Sequence, residues 1–307
     1  MKKSAIVTGA AGFLGSHLCE RLLGDGFRVF GVDNFCTGRE QNLKTFGRDP
    51  HFEFLQADVC EKLALPQVDW VFHFASPASP PKYVKLSVET LRVNSEGTRH
   101  LLDHCTHTGA KFFLASTSEV YGDPLVHPQP ETYWGNVNPN GMRSMYDEAK
   151  RYAEAITYAY HRSKGVDVRT IRIFNTYGPR MDPLDGRVVT NLMVQALRNE
   201  PLTVYGDGKQ TRSFQYYSDL IEGIVRLSQA NYTSPVNLGN PVEFTILEFA
   251  EKVKKITGTK AEIVFKPLPS DDPRQRKPDI SVASNVLKWK PLVELDEGLS
   301  KTLEYFR

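Results

Sequence analysis

Short apolar runs alternate along this chain with longer stretches whose apolar residues recur at helical spacing. Ala5-Ile6-Val7 reads as a buried strand, and Leu14, Leu18, Leu22 and Leu23 follow it as one face of a helix. Further strands are expected over 28–33, 52–57, 70–75, 111–115 and 168–174. A long helix is expected over about 87–107, carrying Asn94 and Gly97. Another opens near Tyr146, with Ala149, Ala153, Ile156 and Tyr160 at helical spacing. The proline-rich stretch 76–83 predicts an ordered, irregular loop at the carboxyl edge of the sheet. Later come a short strand over 201–206, a hairpin turn over 206–209, and amphipathic helices at Leu247, Ala250 and Val253 and over 295–306. Strands alternating with helices predict an α/β fold built on a doubly wound parallel sheet.

The turn between the first strand and helix is Thr8-Gly9-Ala10-Ala11-Gly12-Phe13-Leu14-Gly15. Strand, glycine turn and helix together form the context in which such glycines bind a dinucleotide. Gly9 allows the tight turn, Gly12 the approach of a pyrophosphate, and Gly15 the packing of helix on strand, while the helix N-terminus faces the phosphates. Asp33 ends the second strand 21 positions beyond Gly12, where a carboxylate binds ribose hydroxyls and repels a 2′-phosphate. NAD is therefore favoured over NADP, although Arg39 nearby pulls the other way, and a turn-capping role for Asp33 stays open. Asp58 ends the third strand, at the edge where open α/β sheets bind ligands. His73 has no partner near it in sequence and is expected as a satisfied core histidine.

Composition narrows the class. The 307 residues carry 40% apolar and 24% charged side chains with a net charge of +2, as in an ordinary globular protein with no polyanion partner. The first strand starts by Ala5, so no leader or membrane anchor is expected, nor any membrane span. Cys19, Cys36, Cys60 and Cys105 show no metal-binding or redox spacing and are expected to be reduced, in the cytoplasm. No metal and no nucleic acid is expected.

The strand over 111–115 runs into Ser116-Thr117-Ser118-Glu119, and downstream lies Tyr146-x-x-x-Lys150. Four residues apart, the tyrosine and lysine share a helix face. A phenol titrating near pH 10 is a poor base at neutral pH. A nearby ammonium and an oxidised nicotinamide favour the phenolate, and lowering the pKa by about three units takes roughly 4 kcal/mol. The phenolate then takes a proton from a sugar hydroxyl as hydride leaves. Alone, this pair reads as surface decoration. Behind the glycine loop it reads as catalytic.

Together, the glycine loop, Asp58-Val59, the run 116–122 and Tyr146-x-x-x-Lys150 resemble an extended short-chain dehydrogenase/reductase acting on nucleotide sugars. With the runs 33–39, 75–81, 122–124, 173–181, 185–189 and 274–279, the chain is most similar to the UDP-glucuronate decarboxylases, over nearly its whole length. The resemblance implies a Rossmann-type NAD-binding domain over 1–174 plus about 211–232. A smaller, interleaved UDP-sugar domain is implied over 175–210 and 233–307. For NAD it implies Gly9, Gly12, Phe13, Leu14 and Gly15 at the pyrophosphate, and Asp33, Asn34, Thr37, Gly38, Asp58 and Val59 toward the adenosine. Phe74, Ala75, Ser76, Ala115, Tyr146, Lys150, Thr176 and Arg187 complete that set. For UDP-glucuronate it implies Pro81, Tyr83, Arg92, Asn175, Val188, Asn191, Tyr205, Arg212 and Arg276. The two arginines hold the diphosphate or stand near the glucuronate, whereas Arg274 and Lys277 are expected as solvated charge.

The implied chemistry is oxidation at C4, which makes a β-keto acid, loss of carbon dioxide, protonation at C5, and return of the same hydride. Tyr146 is implied as the base and Lys150 as its electrostatic partner. Thr117 or Ser118 binds the C4 oxygen, while Glu119 and Ser118 act around C5. The related 4,6-dehydratases carry Asp-Glu where this chain has Ser118-Glu119, and a serine avoids a second anion beside the substrate carboxylate. Glu119 as a structural cap, a 4-epimerase or 4,6-dehydratase activity, and a dinucleotide-sensing module are the alternatives. The family also implies a homodimer that pairs the Tyr146 helix and the 87–107 helix.

Overall fold

The computed structural model describes residues 2–267 and 275–307; Arg274 lies outside them. Six strands are laid down first: β1 Ser4–Thr8, β2 Arg28–Asp33, β3 Phe52–Gln56, β4 Trp70–His73, β5 Lys111–Thr117 and β6 Val168–Ile173. Eight shorter ones follow: β7 Thr176–Tyr177, β8 Leu202–Tyr205, β9 Thr211–Ser213, β10 Gln215–Tyr216, β11 Val236–Leu238, β12 Glu243–Thr245, β13 Ile263–Lys266 and β14 Gln275–Arg276. The large sheet is parallel throughout, in the order β11-β6-β5-β4-β1-β2-β3, as expected of a doubly wound fold. Its strands are apolar on both faces because helices cover both. One layer packs on Leu18, Leu22, Leu220, Ile224 and Trp289, the other on Leu101, Leu102, Cys105 and Ala153.

The helices are α1 Phe13–Gly24, α2 Pro80–Lys85, α3 Ser87–Arg92, α4 Thr98–Thr108 and α5 Ser144–Lys164. Then come α6 Val188–Leu197, α7 Tyr217–Gln229, α8 Ile246–Thr257, α9 Ser281–Leu287 and α10 Leu295–Phe306. A second core, including Met193, Leu202, Phe249 and Leu299, binds α6, α8 and α10 to the small strands at the carboxyl edge of the sheet.

Five expectations change in detail. The loop over 76–83 turns helical at Pro80, because Pro80 and Pro81 fall in the first positions of α2, where their missing N–H groups have no helical partner to lose. The helix over 87–107 is interrupted by a π-helical turn, Val93–Gly97. This turn buries Asn94, whose amide reaches Ser76 Oγ at 2.9 Å and Thr90 O at 2.8 Å. The hairpin over 206–209 does not form: β8 pairs with β13, while β9 pairs with β12 and β14. On α8 the inward residues are Ile246, Phe249, Ala250 and Val253, and Leu247 faces out. Finally, β11 joins the large sheet and Ala283, Leu287 and Trp289 pack in its core, so parts of 233–307 belong to the first domain.

Candidate active site

The carboxyl ends of β1, β4, β5 and β6 open onto one cavity of about 520 Å³. Its floor is the glycine loop. Gly9 takes φ +71°, and an added Cβ would stand 2.8 Å from the Ala75 nitrogen; at Gly15 it would stand 2.0 Å from the Gly9 oxygen. No side chain caps α1 and no acid sits in its first turn, so its N–H groups face the cavity, as a pyrophosphate requires. These observations fit a dinucleotide. Asp33 accepts from Ala11 N at 3.0 Å and Phe35 N at 2.8 Å, and Gly38 packs against its carboxylate. Burial pushes the Asp33 pKa up, against those two bonds. Asn34 donates to Asp58 Oδ2 at 3.1 Å, and Val59 lies in the core below Gly97. His73 bonds Thr8 Oγ1 at 2.8 Å and burial pushes its pKa to about 3, as suits a core histidine.

Phe13, Leu14, Thr37, Phe74, Ser76, Ala115, Thr176 and Arg187 line the cavity. Ala75 lies beneath them, beside Gly9. Toward the second core, Pro81, Tyr83, Asn175, Val188, Asn191, Tyr205 and Arg212 line the same space. Arg92 does not. It stands at the end of α3, pairing with Glu96 at 2.9 Å and Glu61 at 3.7 Å on the surface. The π-helical turn begins just after it and directs Asn94, not Arg92, inward.

Tyr146 and Lys150 stand on the buried face of α5, opposite Thr117, Ser118 and Glu119. The Tyr146 ring is stacked on Tyr83, with centroids 5.0 Å apart and planes 4° from parallel. Lys150 donates to Ala115 O at 3.0 Å, with Nζ 5.9 Å from the Tyr146 ring centre. Burial pushes the Tyr146 phenol up, Glu119 adds to this, and Thr117 and Arg187 oppose it. Burial likewise pushes Lys150 down to about 7, against Glu154. The expected lowering of the phenol by its ammonium neighbour is therefore not a property of this pair alone. Enclosure and the Glu119 charge dominate here, and a further positive charge in the cavity would favour the phenolate.

Glu119 lies, largely enclosed, between two guanidiniums. Arg143 and Arg276 both pair with its carboxylate. Burial opposes ionisation, but Arg276 and Arg143 outweigh it and hold the pKa at about 2. Arg276 lies in register with Arg212 on the neighbouring strand. Arg276 itself is buried against Glu119 and Gly122 O and, unlike Arg212, does not line the cavity. Lys277 pairs with Glu243 at 3.4 Å, which also meets His127 at 3.1 Å, so it belongs to an ion-pair group. Arg143 escaped the sequence reading because its partner is 24 positions away and the run 136–143 has no periodicity. Its one signal is its place three residues before Tyr146.

A strap over 179–187 borders the cavity. Pro179 O meets His17 Nε2 at 3.0 Å, and Arg180 donates to Glu20 at 2.6 Å and Thr45 at 2.9 Å. Asn42 donates to Arg180 O at 3.2 Å, and Lys82 of α2 pairs with Asp182 at 3.3 Å.

The GDP-mannose 4,6 dehydratase family model matches residues 6–302. UDP-glucuronic acid decarboxylase 1 of Arabidopsis thaliana is 55% identical over 98% of this chain and 69% of its own length. The Xenopus tropicalis protein of that name is 53% identical over 100% and 72%. Among solved structures, the UDP-glucuronic acid 4-epimerase of Bacillus cereus, in complex with UDP-glucuronic acid and NAD, is 31% identical. It superposes with a TM-score of 0.89 over 98% of both chains. The UDP-glucose 4-epimerase of Thermotoga maritima, with UDP-glucose, reaches 0.92 at 31% identity over 99% and 98%. Sequence identity above one half, across nearly the whole chain, makes this protein a member of the UDP-glucuronic acid decarboxylases, within the GDP-mannose 4,6 dehydratase family.

Proposed function

We propose that this protein converts UDP-glucuronate to UDP-xylose and carbon dioxide, with NAD as a retained cofactor. The observation that carries the reading is one wall holding Thr117, Ser118 and Glu119 opposite Tyr146 and Lys150. The glycine loop, the open end of α1 and Asp33 would hold the dinucleotide. When bound, the dinucleotide would supply a reversible hydride acceptor for sugar C4, which would make the sugar a β-keto acid between the two half-reactions.

The chain's residues do the rest. Tyr146 Oη takes the proton from the C4 hydroxyl and gives it back at the end. Thr117 Oγ1 orients that oxygen. Lys150, fixed on Ala115 O, lends positive charge beneath the phenol. Glu119, held as a carboxylate by Arg143 and Arg276, accepts hydrogen bonds and orients a water molecule that delivers a solvent proton to C5; Ser118 stands next to it. Tyr205, Arg212 and Asn191 line the end of the cavity that suits the UDP moiety. The cysteines are all free, which fits a reducing compartment such as the cytoplasm. Among the described residues no helix is long and apolar enough to cross a membrane.

The test is incubation with UDP-glucuronate, following carbon dioxide and the product by mass spectrometry. Expected are carbon dioxide and a pentose nucleotide, reduced about 10²- to 10⁴-fold in Tyr146→Phe. A folded, NAD-loaded protein that releases no carbon dioxide, or one that only epimerises the sugar, overturns the reading.

A further inference from the structure

Asp147 follows Tyr146 on α5 and has no part in the chemistry above. Its side chain is buried, and Oδ1 is enclosed without a hydrogen-bond partner. In the same cluster Arg143 Nε, Arg276 Nε and the Tyr83 hydroxyl are enclosed and unpartnered as well. Such groups are costly to leave unmatched in an interior. Asp147 N donates to Arg143 O at 3.0 Å, so the two residues stand one helical turn apart, and each charge acts on the other.

Charged and titratable groups face Asp147 from four other segments: Glu119 after β5, Arg143 before α5, Arg276 on β14 and Tyr83 on α2. Its own helix adds Tyr146 and Glu148. The amino end of α5 favours a carboxylate. Burial and the Glu119 charge act the other way and push the group to about 8, with Arg143 and Arg276 pulling it back down. With Asp147 neutral, two guanidiniums face one carboxylate and the cluster carries one spare positive charge. With Asp147 ionised, it carries none. A sugar carboxylate entering the cavity needs that spare charge.

We propose that Asp147 is a positioning residue: as the neutral acid it leaves Arg143 and Arg276 with charge to spare for the carboxylate of the substrate, and as the carboxylate it draws Arg143 onto itself and closes that site. The inference rests on the decarboxylase reading and names the group that sets its charge selectivity.

The test compares kcat/KM for carbon dioxide release in wild type and Asp147→Asn at about pH 7 and about pH 9. Loss of the Lys150 proton lowers kcat/KM over that range in both proteins; ionisation of Asp147 makes the wild-type value fall roughly tenfold further, chiefly through KM. In Asp147→Asn that additional fall shrinks to about twofold or less. An equal fall in both proteins overturns the proposal. Should the asparagine variant not fold, the wild type still decides. Its Kd for UDP-glucuronate is expected to weaken about tenfold from pH 7 to pH 9, while that for UDP-glucose, which lacks the carboxylate, stays within about twofold. Parallel behaviour of the two ligands overturns the role of Asp147. No carbon dioxide from the wild type at any pH overturns the reaction itself, and this inference with it.

Discussion

Tyr146 and Lys150 share an enclosure, yet burial moves them in opposite directions, the phenol up and the ammonium down to about 7. Unfolded, Lys150 keeps its proton up to about pH 10.5. Between those two values the unfolded chain binds more protons, so this residue makes stability rise with pH across that window and lowers it most at and below about 7. Lys150→Met removes the effect. Its Tm is expected to exceed that of the wild type by a few degrees near neutral pH, with the gap closing toward pH 10, in calorimetric scans at several pH values. A gap that does not change with pH would show that the lysine is not buried as described. The Tyr-Lys pair was legible in the sequence because its spacing matches a helical turn. Its energetics were not, because desolvation depends on what closes around a side chain, and here that is Tyr83, Thr117 and Arg187 from three other segments.

At the scale of elements, the turn joining β1 to α1 leaves no room for change. A methyl group at Gly15 would stand 2.0 Å from the Gly9 oxygen, and both are backbone positions that cannot step aside. Gly15→Ala is expected to cost about 1–3 kcal/mol of stability and most of the bound dinucleotide. Nucleotide released from the denatured, purified variant measures the second effect, and wild-type content would contradict it. Six strands of the sheet and the helices α1, α5 and α10 were legible because each keeps one period from end to end, whereas β11, α6 and α7 went unread. The misread segments are those where a local rule meets a tertiary one. Pro80 and Pro81 break a helix interior but begin α2. The turn at Gly206 and Gly208 looks like a hairpin, but β8 has its partner in β13, about sixty residues away. Arg212 and Arg276 were recognisable as a pair of cations; only the pairing of β14 with β9 brings them side by side.

At the scale of the whole molecule, two cores meet along the carboxyl edge of one sheet, and the cavity lies at their junction. α3 and α5 pack together on the outside, leaving Val88, Leu91 and Tyr152 exposed at 64%, 43% and 47%. Apolar side chains grouped on paired helices suit burial against a second copy. We expect a homodimer at micromolar concentration in sedimentation, and a monomer after Val88→Asp with Leu91→Asp. A wild-type monomer would overturn this.

The strap over 179–187 has a consequence for how the protein meets its dinucleotide. His17, Glu20, Asn42, Thr45 and Lys82 hold it from three segments, so a nucleotide leaving past it would have to part several polar contacts together. A redox partner that cannot diffuse away between half-reactions acts as a fixture of the catalyst. Were a nicotinamide nucleotide held in this way, each turnover would return the enzyme to its starting oxidation state, independent of the balance of free reduced and oxidised nucleotide around it.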